Sequence, residues 1–352
     1  MAGGVGSRFW PVSRVNYPKQ FQDLMGVGET LIQQTYHRLS TLVPLENILI
    51  LTNTSYKDIV KEQLPLITED QILLEPQMRN TAPCILLAAL KIQKQNPDAV
   101  MIVAPSDHWI IDKEAFLNDV NSAFNEASKK DILVTLGIKP SFPNTGYGYI
   151  KYIEEELSLF PGYRVQKFTE KPTLRNAKKF LEDGNYLWNA GIFIWKAAAI
   201  VDSFKEHSRD MYELFGNGYD LLNEKQEVSF IEEAYPKAQN ISIDYAILEK
   251  SDKVFVIPAT FDWDDLGTWG ALYGKLAKDT SKNAVVNADL IPLTSHGNMV
   301  YSHNNKVVIL EGLENYIVVE SNDVLLIVPK EKEQEIKEIR TRAIERLGEK
   351  LG

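Results

Sequence analysis

The stretch TAPCILLAALKIQKQNPDAVMIVAPSDH, residues 81–108, places a helical pattern directly before a short apolar, β-branched run. Its first part, Thr81–Gln95, predicts a helix, and its last part, Ala99–His108, predicts a buried strand. The same alternation recurs along the chain, with helical patterns at Thr30–Leu42 and 114–130 and strand patterns at Asn47–Asn53 and Ile132–Ile138. This rhythm indicates an α/β fold with a mainly parallel, mixed sheet flanked by helices. Ligands of such folds bind beyond the carboxyl ends of the strands.

The pattern changes near Lys282, where closely spaced strands follow one another without helices between them. These strands are KVVILEG at 306–312, NYIVVES at 315–321 and DVLLIVP at 323–329. They predict a small all-β appendage that resembles a short β-helix. The tail then carries apolar residues at helical spacing, which predicts a terminal amphipathic helix with one face formed by Ile336, Ile339, Ala343, Ile344 and Leu347. We therefore expect a catalytic domain over 1–281 and an appendage with its helix over 282–352.

Composition narrows the class of protein. The 352 residues carry a formal net charge of −10, which argues against nucleic acid or an anionic membrane as a partner. The single cysteine, Cys84, permits no internal disulfide, and the scattered histidines form no zinc pattern. No apolar run is long enough to span a bilayer, and the N-terminus lacks a signal-peptide pattern. These features predict a cytoplasmic protein.

The N-terminal stretch MAGGVGSRFWPVSR, residues 1–14, is rich in glycine and arginine. Glycine allows backbone N–H groups to converge on a phosphate without clashes from Cβ atoms. The stretch is not a dinucleotide-binding fingerprint, because Phe9 occupies the place of the third glycine, and it lacks the Gly-Lys-Ser/Thr of a Walker loop. Taken alone, it fits a surface turn as well as a phosphate site.

Further motifs in the chain decide between these two interpretations. NYPKQF follows the glycine-rich stretch at residues 16–21. The later motifs are EPQMRNTAP at 75–83, APSDHWI at 104–110, NTGYGYI at 144–150, FTEKP at 168–172, WNAGIFIW at 188–195 and DWDDLGTW at 262–269. In this order they resemble the sugar-nucleotide pyrophosphorylases. The Trp-Pro-x-Ser-Arg and Pro-Lys-Gln segments are most similar to the mannose-1-phosphate guanylyltransferases, also called GDP-mannose pyrophosphorylases.

This resemblance implies a Rossmann-like fold of the nucleotide-diphospho-sugar transferase type, in which a first strand precedes the glycine-rich loop. We therefore expect that strand to lie upstream of residue 1. The implied reaction transfers GMP from GTP to α-D-mannose 1-phosphate and releases pyrophosphate. A sugar phosphate is mostly dianionic at neutral pH and needs no general base, so catalysis is expected to depend on positioning and electrostatics. Mg²⁺ is the implied cofactor, and a homodimer the implied assembly.

The resemblance also implies roles for individual residues. The catalytic residues would be Arg8, Lys19, Asp107 and Lys171. The nucleotide would be bound by Ala2, Gly3, Gly4, Gly6, Ser7, Arg8, Arg79, Asn80 and Thr81. The sugar phosphate would be bound by Lys19, Tyr147, Gly148, Glu170, Lys171 and Asn189, and Mg²⁺ by Asp107 and Asp265, with Asp264 as the alternative second ligand.

Structural alternatives remain open for several of these residues. Asn80 and Thr81 precede a predicted helix and are equally suited to cap it, and Asp107 is also a possible cap. Glu170 and Lys171 also fit a plain surface ion pair. Two other functions compete with the implied one: a pyrophosphorylase for another sugar and nucleotide, and a catalytically silent regulator that binds GDP-mannose. The regulator is disfavoured because the expected catalytic residues are all present.

Overall fold

The computed structural model describes residues 1–4, 6–154 and 160–352. The helices are α1 Leu31–Leu39, α2 Lys57–Gln63, α3 Thr81–Gln95, α4 Lys113–Lys129, α5 Leu174–Asp183, α6 Ala197–His207, α7 Arg209–Gly216, α8 Glu227–Ala234, α9 Trp269–Lys275 and α10 Ile336–Leu347. The strands are β1 Ile50–Asn53, β2 Ile72–Glu75, β3 Val100–Val103, β4 Leu133–Ile138, β5 Tyr149–Ile153, β6 Tyr163–Thr169, β7 Tyr186–Lys196, β8 Val254–Pro258, β9 Ala284–Pro292, β10 Met299–Leu310, β11 Tyr316–Ser321 and β12 Val324–Pro329. None of the helices in this part of the chain combines the length and the apolar character that a bilayer crossing requires.

A six-stranded mixed sheet forms the centre, in the order β3-β7-β4-β8-β6-β5. The expected mixed α/β sheet with flanking helices is confirmed. More of its strand pairings are antiparallel than the β/α rhythm predicted. Strand β4 pairs in parallel with β8, whereas β7 runs antiparallel to β3, β4 and β5. The reason is that the eleven-residue β7 inserts between β3 and β4 and runs antiparallel to both.

The two faces of this sheet bury different helices. Along β7, Phe193 and Trp195 point into a core shared with α3 and α6, while Ile192 and Ile194 point into a core shared with α4. This alternation follows from the two-residue period of a strand. Helix α3 has the predicted bounds and is buried along most of its length, which agrees with its nearly continuous apolar sequence.

The first two residues lie between β3 and a separate parallel pair, β1 with β2. The Met1 amine donates to the Ala104 carbonyl at 2.9 Å, and the Ala2 amide donates to the Leu51 carbonyl at 2.7 Å. Beside these contacts is a cavity of about 280 Å³, lined by apolar side chains of α1, β1, α3 and β3. The expectation of a strand before the glycine-rich loop stays a prediction.

The C-terminal sheet has the order β12-β11-β10-β9. Strands β9, β10 and β11 are parallel, and β12 closes the edge antiparallel to β11. Its inner face packs against Phe9, Trp10 and Trp269 of the preceding part. The predicted helix forms as α10, with Ile336 buried against this core. Leu347 is 63% exposed, against expectation, because the chain turns at Gly348 and buries Leu351 instead.

Candidate active site

Three adjoining cavities follow the carboxyl edge of the central sheet. The first, about 390 Å³, lies between the glycine-rich residues Ala2–Gly4 and the start of α3. The second, about 300 Å³, lies beside Ser7, Arg8 and Lys19. The third, about 210 Å³, is lined by residues of the NTGYGYI, FTEKP and WNAGIFIW motifs. We refer to them as the base cavity, the phosphate cavity and the sugar cavity.

Lys19 and Gln20 hold the glycine-rich loop in place. The Gln20 side-chain amide donates to the carbonyls of Ala2 at 2.9 Å and Gly4 at 3.1 Å. Gly6 has a φ of 61°, and a Cβ atom there would lie 2.5 Å from Cβ of Lys19. Only glycine satisfies both the left-handed backbone and this close approach. Val5, which belongs to the expected phosphate loop, lies outside the described residues.

The phosphate cavity joins Lys19 to two aspartates from distant motifs. The Lys19 ammonium donates to Oδ2 of Asp107 at 3.0 Å and to the backbone carbonyl of Asp265 at 2.5 Å. Arg8 lies in the short turn Ser7–Phe9 and lines the same cavity. The structure thus brings together Arg8, Lys19, Asp107 and Asp265, whose positions in sequence span most of the chain.

The surroundings of Asp107 distinguish a ligand-facing carboxylate from a helix cap. Helix α4 is capped by Asp112, whose side chain accepts from the Ala115 amide, so Asp107 does not cap it. Burial alone would raise the pKa of Asp107, but the Lys19 and His108 charges and the Lys19 hydrogen bond hold it below its ordinary value. Burial lowers the pKa of His108 to about 4, so this imidazole is neutral at pH 7. It accepts a hydrogen bond from the Trp263 indole at 3.1 Å.

The carboxylates of Asp265 and its neighbour Asp264 contact different residues. The Asp265 carboxylate accepts from the Tyr147 hydroxyl at 2.8 Å and lines both the phosphate and the sugar cavity. The Asp264 carboxylate accepts from the Leu266 amide at 2.8 Å and lies 3.7 Å from the Lys275 ammonium. The arrangement supports Asp265 as the partner of Asp107. Among the described residues no group of three or more His, Cys, Asp or Glu side chains is placed to hold a metal.

The motifs predicted that Tyr147, Gly148, Glu170 and Asn189 lie together, and all four line the sugar cavity. Asp244 lines it as well. A Cβ atom on Gly148 would collide with Oε2 of Glu170, so the glycine makes room for that carboxylate. Asn189 is fixed in orientation, because its amide donates to Asp244 at 2.8 Å and its oxygen accepts from the Gly191 amide at 3.0 Å.

Lys171 adopts a left-handed backbone with a φ of 44° and pairs with Glu170 at 2.5 Å. Its side chain is 64% exposed, and it does not line the sugar cavity in this structure. Burial opposes its charge, but the Glu170 hydrogen bond and charge raise the pKa of Lys171. The pair of Glu170 and Lys171 is therefore partly a surface ion pair, with only the glutamate directed into the cavity.

Arg79, Asn80 and Thr81 line the base cavity. Asn80 precedes α3 but makes no capping hydrogen bond, and its amide donates to the Asn240 side chain at 2.7 Å. Thr81 accepts from the Ile243 amide at 2.9 Å, and Arg79 donates to the Pro236 carbonyl at 2.5 Å. These contacts tie the start of α3 to residues 236–243 and leave the capping interpretation without support for Asn80.

Sequence reasoning missed a buried carboxylate in the base cavity. Glu75, at the end of β2, is 7% exposed, and its Oε2 accepts from the Tyr235 hydroxyl at 2.5 Å. Its Oε1 faces Gly3. Burial raises the pKa of Glu75, although the Tyr235 hydrogen bond opposes that shift. The EPQMRNTAP motif contained this residue, but nothing in the sequence indicated that Tyr235 would lie beside it.

Comparison with known proteins identifies the family of this chain. Residues 1–282 match the nucleotidyl transferase family, and residues 288–342 match a MannoseP isomerase/GMP-like beta-helix domain. The chain belongs to the nucleotidyl transferase family. The two matches cover the α/β part that carries the three cavities and the small β-sheet that packs against it. The resemblance that the motifs indicated is confirmed.

Curated relatives of this nucleotidyl transferase are similar over nearly its whole length. The alginate biosynthesis protein AlgA of Pseudomonas aeruginosa is 37% identical over 96% of this chain and 70% of its own length. The mannose-1-phosphate guanylyltransferase of Escherichia coli K12 is 35% identical over 96% of this chain and 71% of its own. A crystal structure from Thermus thermophilus, named as a mannose-1-phosphate geranyltransferase, has a TM-score of 0.87 at 31% identity and covers 97% of each chain.

Proposed function

We propose that this nucleotidyl transferase joins GTP to α-D-mannose 1-phosphate, giving GDP-mannose and pyrophosphate. The observation that carries the proposal is that the three cavities adjoin at two aspartates that Lys19 contacts. Asp107 lines the base and phosphate cavities, and Asp265 lines the phosphate and sugar cavities. The base, the phosphates and the sugar of the substrates would occupy the three cavities. The guanylyltransferases among its relatives supply the identity of the two substrates.

The adjoining cavities support an in-line displacement at phosphorus. An oxygen of the sugar phosphate forms a bond to the α-phosphorus of GTP, and the bond from that phosphorus to the oxygen bridging to the β-phosphate breaks. Pyrophosphate departs with the bonding electron pair. No side chain has to remove a proton, because the nucleophile is already an anion at neutral pH. Arg8 and Lys19 would stabilise the charge on the phosphates as they approach one another.

The two carboxylates in the phosphate cavity fit a divalent metal. Asp107 and Asp265 both line this cavity and provide hard oxygen donors, which Mg²⁺ prefers. The Lys19 ammonium contacts the Asp107 carboxylate and the Asp265 backbone carbonyl. We propose that the two carboxylates hold Mg²⁺ together with substrate phosphate oxygens. When bound, the ion would neutralise phosphate charge. Lys19 would then turn from these contacts to the phosphates, as its flexible stem allows.

Glu75 is suited to select guanine in the base cavity. Guanine presents two adjacent donors, its N1–H and its 2-amino group, whereas an ionised carboxylate is an acceptor only. Tyr235 fixes the carboxylate through Oε2 while Oε1 faces Gly3. We propose that this carboxylate accepts hydrogen bonds from the guanine edge. Adenine would meet the same carboxylate with an acceptor at N1, which is unfavourable.

Glu170 and Asn189 are proposed to bind the sugar hydroxyls. Glu170 provides an acceptor close to Gly148, and Asn189 is held in one orientation by Asp244 and Gly191. Lys171, which lies next to Glu170 at the cavity entrance, would turn toward the sugar phosphate when that group binds. A fixed set of donors and acceptors favours one hexose over its epimers, because a misplaced hydroxyl leaves a buried polar group unpaired.

We also propose that the protein acts as a homodimer in the cytoplasm. Support for association comes from apolar side chains of the C-terminal part that are exposed on the single chain, namely Ile291, Leu293, Val307, Ile309, Leu325 and Ile327. Size-exclusion chromatography with light scattering is expected to give twice the chain mass of 39.9 kDa. A species of 39.9 kDa alone at micromolar concentration would refute the dimer.

The fate of labelled phosphorus tests the proposed reaction. With mannose 1-phosphate present, label at the α position of GTP is expected in a nucleotide sugar, and label at the γ position in pyrophosphate. Appearance of the α label in free GMP would indicate hydrolysis instead. If neither label moves although the protein is folded and binds GDP-mannose, the regulatory function would replace the proposed one.

A further inference from the structure

The phosphate cavity is completed by a residue from the far end of the chain. Lys337, the second residue of α10, lines this cavity together with Arg8 and Lys19. It lines neither the base cavity nor the sugar cavity. We propose that Lys337 binds the β- and γ-phosphates of the nucleoside triphosphate, and the pyrophosphate formed from them, so that α10 is part of the active site. This inference rests on the proposed function.

Direct contacts hold the end of the chain against the glycine-rich loop. The Trp10 indole donates to the Leu351 carbonyl at 2.7 Å, and the Val15 amide donates to the Gly352 carbonyl at 3.3 Å. Arg14 pairs with Asp323 of the C-terminal sheet at 2.6 Å. Because the loop and the C-terminal segment are joined on both sides of α10, the position of Lys337 over the cavity is fixed relative to Arg8.

Further anchoring comes from the helix itself and the turn before it. Ile336, adjacent to Lys337, is fully buried in the core that contains Phe9. Glu333 accepts from the Gly270 amide at 2.7 Å, which ties the turn before α10 to the start of α9. Lys337 itself is exposed and follows Ile336 by about 100° around the helix, so its side chain is free to move toward a bound anion.

The electrostatics of this corner suit a polyanion. Arg8 and Lys337 line the same cavity. The charge of Arg8, followed by burial, lowers the pKa of Lys337. The neighbouring Glu338 pairs with Arg342 at 2.6 Å, on the helix surface. Asp107 is already paired with Lys19. Two cations that repel each other in the empty cavity would both be stabilised by an anion placed between them. Pyrophosphate carries enough charge to interact with both.

The position of Lys337 assigns it to the leaving group. Lys19 contacts Asp107 and Asp265, and Asp265 borders the sugar cavity, where the α-phosphorus would react. Lys337 lies on the side of the phosphate cavity formed by Ser7, Arg8 and α10. It is therefore expected to stabilise the departing pyrophosphate and to contribute little to the affinity for mannose 1-phosphate.

Titration calorimetry with inorganic pyrophosphate and Mg²⁺ tests the inference without requiring turnover. The variants are Lys337→Ala, Lys337→Arg and, as a matched control, Lys332→Ala, which removes an exposed cation from the turn before α10. We expect pyrophosphate to bind Lys337→Ala about tenfold more weakly, as for one partly solvated, charge-assisted contact. Lys337→Arg and Lys332→Ala should bind like the wild type. Steady-state kinetics should show a raised KM for GTP and an unchanged KM for mannose 1-phosphate in Lys337→Ala.

The possible failures are distinguishable. Equal pyrophosphate affinity of Lys337→Ala and the wild type, at equal melting temperature, would overturn the inference. An equal loss in Lys332→Ala would also overturn it, since the effect would then be one of overall charge. If the wild type fails to use GTP with mannose 1-phosphate but binds pyrophosphate in a Lys337-dependent manner, the proposed function fails while the anion site stands.

Discussion

Exchange of Glu75 for glutamine alters the hydrogen-bonding character of the base cavity with almost no change in shape. The wild-type carboxylate accepts from Tyr235 through Oε2 and has Oε1 directed toward Gly3. A glutamine has one oxygen that accepts and one amino group that donates. If Tyr235 keeps its acceptor, the amino group of the glutamine faces the two donors of guanine. The variant should therefore lose the contact to guanine and gain a donor–donor repulsion.

The size of the effect follows from the burial of this carboxylate. Glu75 is 7% exposed, so solvent screens its contacts weakly. A hydrogen bond to a charged group contributes about 1.5–3 kcal/mol, which is roughly 10- to 150-fold in an equilibrium or rate constant. The kcat/KM of Glu75→Gln for GTP should therefore be at least about tenfold lower than that of the wild type. The KM for mannose 1-phosphate should not change, because the sugar cavity does not include this residue.

Pyrophosphate release with GTP and with inosine triphosphate is the assay that isolates the contact. Inosine lacks the 2-amino group, so the wild type should prefer GTP by about tenfold or more. In Glu75→Gln the two nucleotides should become nearly equivalent. Tyr235→Phe is the matched control: it keeps the carboxylate and should keep most of the preference. An unchanged preference in Glu75→Gln would refute the assignment of guanine selection to this residue.

Three further predictions concern the centre of the site and the sugar cavity. Asp107→Ala should lower turnover by orders of magnitude with little loss of folding stability; near-normal Mg²⁺-dependent activity would exclude a metal role. Glu170→Gln should raise the KM for mannose 1-phosphate more than the KM for GTP, and an unchanged sugar-phosphate KM would move that contact elsewhere. Burial, followed by the Glu170 charge, raises the pKa of Asp244 to about 6, so the folded state binds its proton more tightly than the unfolded chain. Stability from this group is present at low pH and is lost as the pH rises through about 6. Asp244→Asn should therefore be stabilising by at most about 3 kcal/mol in urea unfolding at about pH 8 and neutral at about pH 4, and equal effects at both pH values would contradict the shift.

The sequence was most informative where a local pattern determines the structure. Helix α3 has the predicted bounds, because its run of apolar helix formers begins after Asn80 and ends where the pattern ends. Asp107 was expected at the end of a strand over Ala99–His108, but that strand ends earlier, at Val103, so Asp107 lies in the segment that follows it. The insertion of β7 between β3 and β4 could not be predicted in this way, because strand order depends on which surfaces pack best and not on periodicity.

The same distinction between local patterns and long-range contacts applies to the residues of the candidate site. Motif residues such as Lys19 and Asn189 could be singled out because short patterns surround them. The proposed role of Glu75 depends on its contact with Tyr235, and that of Lys337 depends on the cavity it shares with Arg8. The two residues of each pair are far apart in the sequence. Contacts of this kind appear only when the chain is folded. The last helix was predicted for its apolar face, while its functional side chain lies on the polar face.

The proposed reaction of this site is the transfer of a guanylyl group to a hexose phosphate. Its direct test is pyrophosphate release from the purified protein with Mg²⁺ and mannose 1-phosphate, measured in parallel with GTP, ATP, UTP and dTTP. We expect release with GTP at a kcat/KM at least about a hundredfold above that with the other nucleotides, because Glu75 accepts from the paired donors of guanine. Comparable or greater release with another nucleotide would contradict the proposed base cavity, and no release with any nucleotide would contradict the proposed reaction.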